Sequence, residues 1–304
     1  MKYLERERIK AVNLRSTMFQ DPGNGVFLGK ARDFVLSNPK LNLWEGIRED
    51  ALDYFRRNRI VWWHGEDGMN TGHLLSSQVA CVNHLFFLHH RKDLATAILQ
   101  GIDGSIAEAL AIDDGYVEFE FIGEKQYLKE KGFSRGANCT SVDAAMMGMT
   151  TTGHKKLFLI EWKYTESYKP QSKFIPERAY VYDYLIQAQD SPFVTGVNPS
   201  VYYYEPFYQL MRQTILADQL LKHHDHGIHE YRHIHVAPEK NEELRTGLTS
   251  PGIVGKDIHE AWKRRLRDES LFLAITPELL LEPAWRMPNT HSVGEYLQNR
   301  YWAE

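Results

Sequence analysis

Cysteine is nearly absent from this chain: Cys81 and Cys139 are the two thiols in 304 residues. Two are too few for a disulfide framework or a cysteine-rich zinc site, so a reducing compartment is expected. No run of about 20 apolar residues occurs, the length that a bilayer span requires. The densely charged residues 1–15 also lack the apolar stretch of a signal peptide. These absences predict a soluble, cytoplasmic protein with no membrane partner. Internal repeats and low-complexity tracts are missing too, which excludes solenoid and fibrous designs. A charge excess of one sign is the last absence. Lys+Arg 36 against Asp+Glu 40 gives a net charge of −4. That balance excludes a globally basic coat for nucleic acid, yet a locally basic cleft can sit within a near-neutral total.

What is present is an ordinary globular composition, 43% hydrophobic and 25% charged, enough to bury a substantial core. Glycine, proline and changes of hydrophobic period divide the chain into three regions. Residues 1–70 read as a helical N-terminal extension, with Trp44, Ile47, Leu52, Tyr54 and Phe55 on roughly helical spacing. Residues 71–243 carry the clearest alternation of elements. Ser76 and Ser77 can cap a first helix bearing Val79, Val82, Leu85 and Phe86 on one stripe, and a second helix is predicted near residues 97–111. The period then drops to two. Strands are predicted over 116–122, 141–150 and 156–166, helices over 178–189 and 205–223, and a last strand over 231–237. This is a mixed α/β order. Residues 244–304 read as a helical C-terminal extension packed on the core.

The most informative segment is the end of the third predicted strand. The apolar run Leu157-Phe158-Leu159-Ile160 argues for a strand covered on both faces. Glu161 and Lys163 then point to one face and Trp162 and Tyr164 to the other. Asp143 is likewise a single charge in an apolar strand, where an unpaired carboxylate is expensive and calls for a partner such as a cation. A hairpin turning around residues 151–154 would set Asp143 one strand over and about two residues along from Glu161, a Cα separation of roughly 8 Å. An odd-numbered loop puts the two carboxylates on one face; a two-residue turn puts them on opposite faces.

Asp143, Glu161 and the backbone carbonyl of Trp162 then form a hard-oxygen set suited to Mg²⁺, with Mn²⁺ as a substitute, and Lys163 stands ready to orient or help deprotonate an attacking water. The same residues also fit an ordinary Glu-Lys pair at a strand end beside an unrelated Asp.

Asp143 followed by Glu161-Trp162-Lys163 at the end of an apolar strand, after an upstream helix, resembles the PD-(D/E)XK nuclease superfamily with its restriction-endonuclease-like fold. The run from Ile160 to Tyr168, with Ser76-Ser77-Gln78 and Arg135-Gly136 upstream and the segment Glu205 to Gln213 downstream, is similar to a bacterial family of restriction endonucleases. The likeness spans roughly residues 71–241. It implies an α/β core, a central mixed sheet flanked by helices, and Mg²⁺-dependent hydrolysis of DNA phosphodiesters. Asp143 and Glu161 would be the metal ligands and Lys163 the catalytic cation. Two positions depart from the superfamily. The first core helix offers Gln78 and Asn83 where many members carry a metal-binding Glu, and Val142 stands where the superfamily's name has Pro. Gln78 is kept as a supporting residue that could hold a metal-bound water.

Phosphate contacts are expected from Lys and Arg. Basic clusters lie at Arg6 to Lys10, Arg56 to Arg59 and Lys263 to Arg267, while Arg135 and Arg212 sit closest in sequence to the acidic strands. Cutting both strands of DNA with a site that cuts one implies a homodimer.

Two other readings compete. His229-Glu230-Tyr231-Arg232-His233 matches the string of zinc hydrolases, a motif that works only on a helix. Gly227 and the β-branched residues that follow favour a strand there. A non-catalytic DNA-binding protein that keeps the nuclease fold is the third reading.

Overall fold

The computed structural model describes residues 1–303. The chain opens with α1 (Tyr3–Thr17), a small hairpin of β1 (Gly25–Phe27) and β2 (Lys30–Arg32), and α2 (Arg48–Arg57). Two helices follow, α3 (Ser77–Leu85) and α4 (Lys92–Ile102), then β3 (Ile106–Leu110), β4 (Glu118–Phe121), β5 (Val142–Thr150) and β6 (Lys155–Trp162). Next come α5 (Pro176–Ile186), α6 (Phe207–Lys222) and β7 (Glu230–Val236). The chain closes with α7 (Glu242–Arg245), α8 (Ile258–Lys263), β8 (Phe272–Ile275), α9 (Pro277–Leu281) and α10 (His291–Leu297).

Six strands form one mixed sheet in the order β3-β5-β6-β7-β8, with β4 also paired to β5. β3, β4 and β6 run antiparallel to β5, whereas β6, β7 and β8 are parallel. The predicted mixed α/β core flanked by helices is therefore the observed one, with helices at both ends of the chain. Two details differ. The predicted helix over 97–111 ends at Ile102, because Asp103 accepts the amide of Ser105 at 3.0 Å and turns the chain into β3. The C-terminal segment, besides its helices, contributes β8 to the sheet.

The central strand shows why the sequence folds this way. Leu157 and Leu159 belong to an apolar cluster shared with Met211, Ile215 and Leu220 of α6. Phe158 and Ile160 belong to a second cluster, with Val79 and Val82 of α3 and Leu94 and Ile98 of α4. Both faces are thus buried, each Leu, Ile or Phe contributing about 1.5–3 kcal/mol. α3 begins where Ser76 Oγ accepts the Val79 amide at 3.3 Å, the expected cap. Asn83 is drawn into a clasp of distant segments. Its side chain donates to the Asn42 carbonyl at 3.0 Å and the Tyr301 hydroxyl at 2.9 Å, and accepts the Trp44 amide at 2.8 Å.

Several buried histidines bear on acid stability. Burial pushes the His84 and His233 imidazoles down to about 3, and those of His73 and His259 down to about 4. An unfolded chain protonates the same rings near 6.5. Their stabilising contribution is therefore complete above 6.5 and is lost as pH falls through the window from 6.5 toward 3–4. At pH 5 the loss is at most about 2 kcal/mol for each ring. The raised carboxyls of Glu118 and Glu120, both held up chiefly by burial, work in the opposite direction. The expected net result is a lower urea midpoint at pH 5 than at pH 7.5, with a smaller difference in His233→Leu. A midpoint that rises on acidification would contradict this assignment.

Candidate active site

The β5–β6 hairpin brings the two predicted carboxylates together. Met149 pairs with Lys155 and the Thr150 amide donates to the His154 carbonyl at 2.8 Å, which leaves residues 151–153, an odd number, in the turn. Gly153 takes the left-handed conformation there, with φ of 84°, which glycine adopts without steric cost. Ala144 pairs with Ile160, so the next step of the ladder sets Asp143 directly opposite Glu161. The two-residue offset expected from a turn over 151–154 does not occur, because the register closes on the three-residue turn Thr151 to Gly153, with Thr150 bonded to His154. Asp143 and Glu161 share the face covered by α6, as do Ala145 and Leu159 beside them.

Each charged group is held by a neighbour. Asp143 Oδ2 accepts the backbone N–H of Trp162 at 2.7 Å. Lys163 Nζ donates to Glu161 Oε1 at 2.5 Å and to Gln209 Oε1 at 2.6 Å. Gln213 donates its amide to Glu161 Oε2 and, at 2.9 Å, to the Ser141 carbonyl. Glu161 is 1% exposed and Lys163 5%, so this ion pair is shielded from solvent and from salt. Trp162, between them in sequence, turns its indole to the opposite face, against His84.

A third carboxylate joins the pair. Phe119 pairs with Ala144 and Phe121 with Val142, which puts Glu120 across from Asp143. Its backbone has φ of 48°, a conformation unusual for a residue with a side chain. Glu120 Oε1 accepts Gln78 Nε2 at 2.7 Å and Oε2 accepts Ser141 Oγ at 2.9 Å.

Asp143 and Lys163 are both shifted upward, which favours the neutral form of Asp143 and the charged form of Lys163. Burial first, then the neighbouring Glu161 and Glu120, lift the Asp143 carboxyl well above its ordinary value. Burial also opposes the charge on Lys163, but Glu161 and further acidic and phenolic groups outweigh it, and the amine stays well above its ordinary value. Lys163 is thus an ammonium with two of its three N–H donors engaged. Crowded carboxylates that disfavour each other's charge are relieved by a cation.

On the other side of Glu161, the parallel ladder with β7 places His235. His235 is fully buried, its Nδ1 lies 3.1 Å from His259 Nε2, and its Nε2 has no partner. Burial, then His259 and Lys163, keep it neutral, well below its ordinary value.

The supporting residues lie as follows. Gln78 reaches Glu120, the Val61 carbonyl at 3.2 Å and the Trp63 amide at 2.8 Å, so it belongs to the site's outer layer. Arg135 is engaged with Glu118 at 2.9 Å, the Tyr54 hydroxyl at 2.6 Å and the Phe119 carbonyl. Arg212 sits over the Tyr208 ring, 5.2 Å from its centroid. The histidine string lies in a strand, as its β-branched residues imply: β7 holds Glu230–Val236. Four residues along a strand span roughly 13 Å, His229 is exposed and stacked on His154, and His233 is buried. Among the described residues no group of three or more His, Cys, Asp or Glu side chains is placed to hold a metal ion. The histidine string therefore lacks the geometry of a zinc centre, and a cation at Asp143 and Glu161 would keep two carboxylates and complete its shell from backbone and water, as Mg²⁺ commonly does.

With this geometry in view, comparison of the chain with protein families gives a match over nearly its whole length. The family described as Restriction Endonuclease associating with ARP covers residues 20–302. The chain belongs to that family. The match runs beyond the 71–241 core on both sides and takes in the N-terminal hairpin and the C-terminal helices. Nothing matches the chain among curated proteins or solved structures. Within the family's span lie all the residues just described.

Glu120, Gln209 and Gln213 carry no role in the sequence reading. Gln209 and Gln213 are four apart on α6, which puts them on one helix face, and an apolar strand facing that helix with two charges at its end is the signal that points to them. Gln213→Leu leaves one Glu161 oxygen and the Ser141 carbonyl without their donor. Activity or metal affinity is expected to fall about 10- to 100-fold, the usual cost of losing an outer-layer ligand support. Rates in a DNA-nicking assay and a metal titration would check this; unchanged values in both would exclude the positioning role.

Proposed function

We propose that this restriction-endonuclease family member is a Mg²⁺-dependent endonuclease that hydrolyses DNA phosphodiester bonds at Asp143, Glu161 and Lys163. The observation that carries the reading is the opposition of Asp143 and Glu161 across adjacent strands, with the Lys163 ammonium bound to Glu161. The donors suit the ion: carboxylate oxygens of Asp143 and Glu161, with the Trp162 carbonyl as a third hard oxygen. When bound, Mg²⁺ supplies charge stabilisation on the phosphate and a lowered pKa for the attacking water.

The residues divide the remaining work. Asp143 is fixed by the Trp162 amide, so its free oxygen faces the site in one orientation. Lys163 acts as a cation and not as a base, since its neighbours keep it protonated. Its third N–H is free for a phosphate oxygen or the attacking water, offsetting the charge that develops in the transition state. Gln209 and Gln213 keep Lys163 and Glu161 from turning away. We extend the proposal to a homodimer for double-strand cutting, and to the association with ARP that the family description names.

The direct test is nicking of supercoiled plasmid by the purified chain. Relaxed and linear products are expected with Mg²⁺ or Mn²⁺ and none with EDTA or with Ca²⁺ alone. DNA that is bound but never cut under any divalent ion would select the non-catalytic reading instead.

A further inference from the structure

Helix α5 turns aromatic residues outward. It buries only Tyr182 and Ile186, whereas Tyr180 is 76% exposed and Tyr184, one turn on, 45%. Residues four apart share a helix face, so the two rings form a pair open to solvent. Phe174 and Ile175, just before the helix, are exposed as well. Apolar side chains scattered singly over a surface are ordinary, but four large ones between residues 174 and 184 mark a contact surface.

Positive charge frames the rings. The loop from β4 to β5 exposes Lys125, Lys129 and Lys131, and the Lys129 ammonium stands 4.9 Å from the centre of the Tyr184 ring. Lys169 is exposed on the approach to α5. Two of the nearby acids are satisfied within the protein. Glu130 accepts the Thr140 amide at 2.8 Å and the hydroxyls of Thr140 and Tyr182 at 2.6 and 2.5 Å, and Asp183 accepts the Tyr203 hydroxyl at 2.6 Å. Those lysines share the surface with two exposed carboxylates, Glu124 and Glu177, so the face is locally basic in a chain whose total is −4. An anionic partner fits it better than a neutral or acidic protein.

Both segments spring from the acidic site. The β4–β5 loop leaves the sheet just after Glu120 and returns just before Asp143. α5 follows β6 and packs on α6, where Arg178 lies 5.3 Å from the centre of the Tyr208 ring, next in sequence to the Gln209 that holds Lys163. We propose that this face grips one DNA strand whose bases are unpaired, the bases stacked on Tyr180 and Tyr184 and the phosphates met by Lys129 and its loop neighbours. Exposed rings beside cations hold single strands in this way because every base has a π-face, whereas the bases of an intact duplex are already stacked and leave the phosphates as the main contact. The preferred substrate is then DNA with a single-stranded stretch beside the cut. The place of the cut rests on the nuclease proposal; the strand grip does not.

Binding is tested in EDTA, so that cleavage plays no part. The full chain is titrated, by fluorescence anisotropy, into a labelled single strand, the blunt duplex of the same sequence, and that duplex with a single-stranded tail. The single strand and the tailed duplex are expected to bind about tenfold or more tightly than the blunt duplex, a preference that the double variant Tyr180→Ser/Tyr184→Ser removes. Lys129→Glu weakens all three ligands and lessens their salt dependence. Both tyrosines are exposed, so the double variant keeps the wild-type urea midpoint, and the wild-type preference is read without any variant. Equal affinity for single strand and blunt duplex, or a preference that survives in the double variant, overturns the proposal and leaves the metal site untouched. So does a chain that binds no DNA while the double variant turns a dimer into a monomer in sedimentation, which gives the face to a second copy. Tyrosine-dependent strand binding by a chain that cuts nothing with Mg²⁺ or Mn²⁺ would sink the nuclease reading and leave the strand grip standing.

Discussion

Glu161→Gln is expected to lower the rate of DNA nicking by on the order of 10³-fold while the protein stays folded. The change removes one negative charge and keeps the side chain's length and an oxygen to accept from Lys163. Alanine would be the wrong replacement. Glu161 and Lys163 are both almost fully buried and bonded at 2.5 Å, and deleting one partner leaves an uncompensated buried charge at a cost of about 3–5 kcal/mol. Loss of activity in the alanine variant would then report unfolding as readily as chemistry. Single-turnover nicking rates read beside urea midpoints separate the two. A Glu161→Gln protein that cuts at the wild-type rate would remove Glu161 from the active site.

Lys163→Met gives the second large effect and the more diagnostic one. Nicking is expected to fall about 10²- to 10³-fold, because the cation that offsets transition-state charge is gone. Divalent-ion binding is expected to survive, since Lys163 occupies Glu161 Oε1 and its removal leaves that oxygen open. Methionine retains much of the lysine stem's volume. Stability should drop by about 3 kcal/mol, as Glu161 keeps only the Gln213 amide as a donor. Calorimetric titration with Mn²⁺ distinguishes the two variants: binding is lost in Glu161→Gln and kept in Lys163→Met. If both variants lost the metal equally, Lys163 would have to be reassigned as a structural support of the metal site.

Much of this arrangement is legible in the residues themselves. The run Leu157 to Ile160 marks a strand buried on both faces, and the alternation that follows puts Glu161 and Lys163 together. Asp143 stands out because it is one charge among Val142, Ala144 and Ala145. The parity of the turn, however, depends on where the ladder stops, which no spacing rule specifies. Glu120 is hidden for a different reason. In Glu118-Phe119-Glu120-Phe121 simple alternation sends both carboxylates to solvent, yet the positive φ at Glu120 and the tertiary partners Gln78, Ser141, Tyr54 and Arg135 bury both.

Positive charge misleads in the same way. Arg135 lies near the acidic strands in sequence, but its donors are taken by Glu118, Tyr54 and the Phe119 carbonyl. Local pattern reveals which groups are costly to bury; only the fold reveals who relieves them. The near-neutral total charge likewise says little about a site whose carboxylates are partnered within the protein.

The central claim is that a divalent cation sits between Asp143 and Glu161. Anomalous diffraction from crystals of the wild-type chain grown with Mn²⁺ tests it most directly. The account predicts an anomalous peak within about 2.0–2.3 Å of carboxylate oxygens from both residues, absent in Glu161→Gln crystals. A peak at the histidines of β7 with none at Asp143 and Glu161, from protein that cuts DNA, would contradict it.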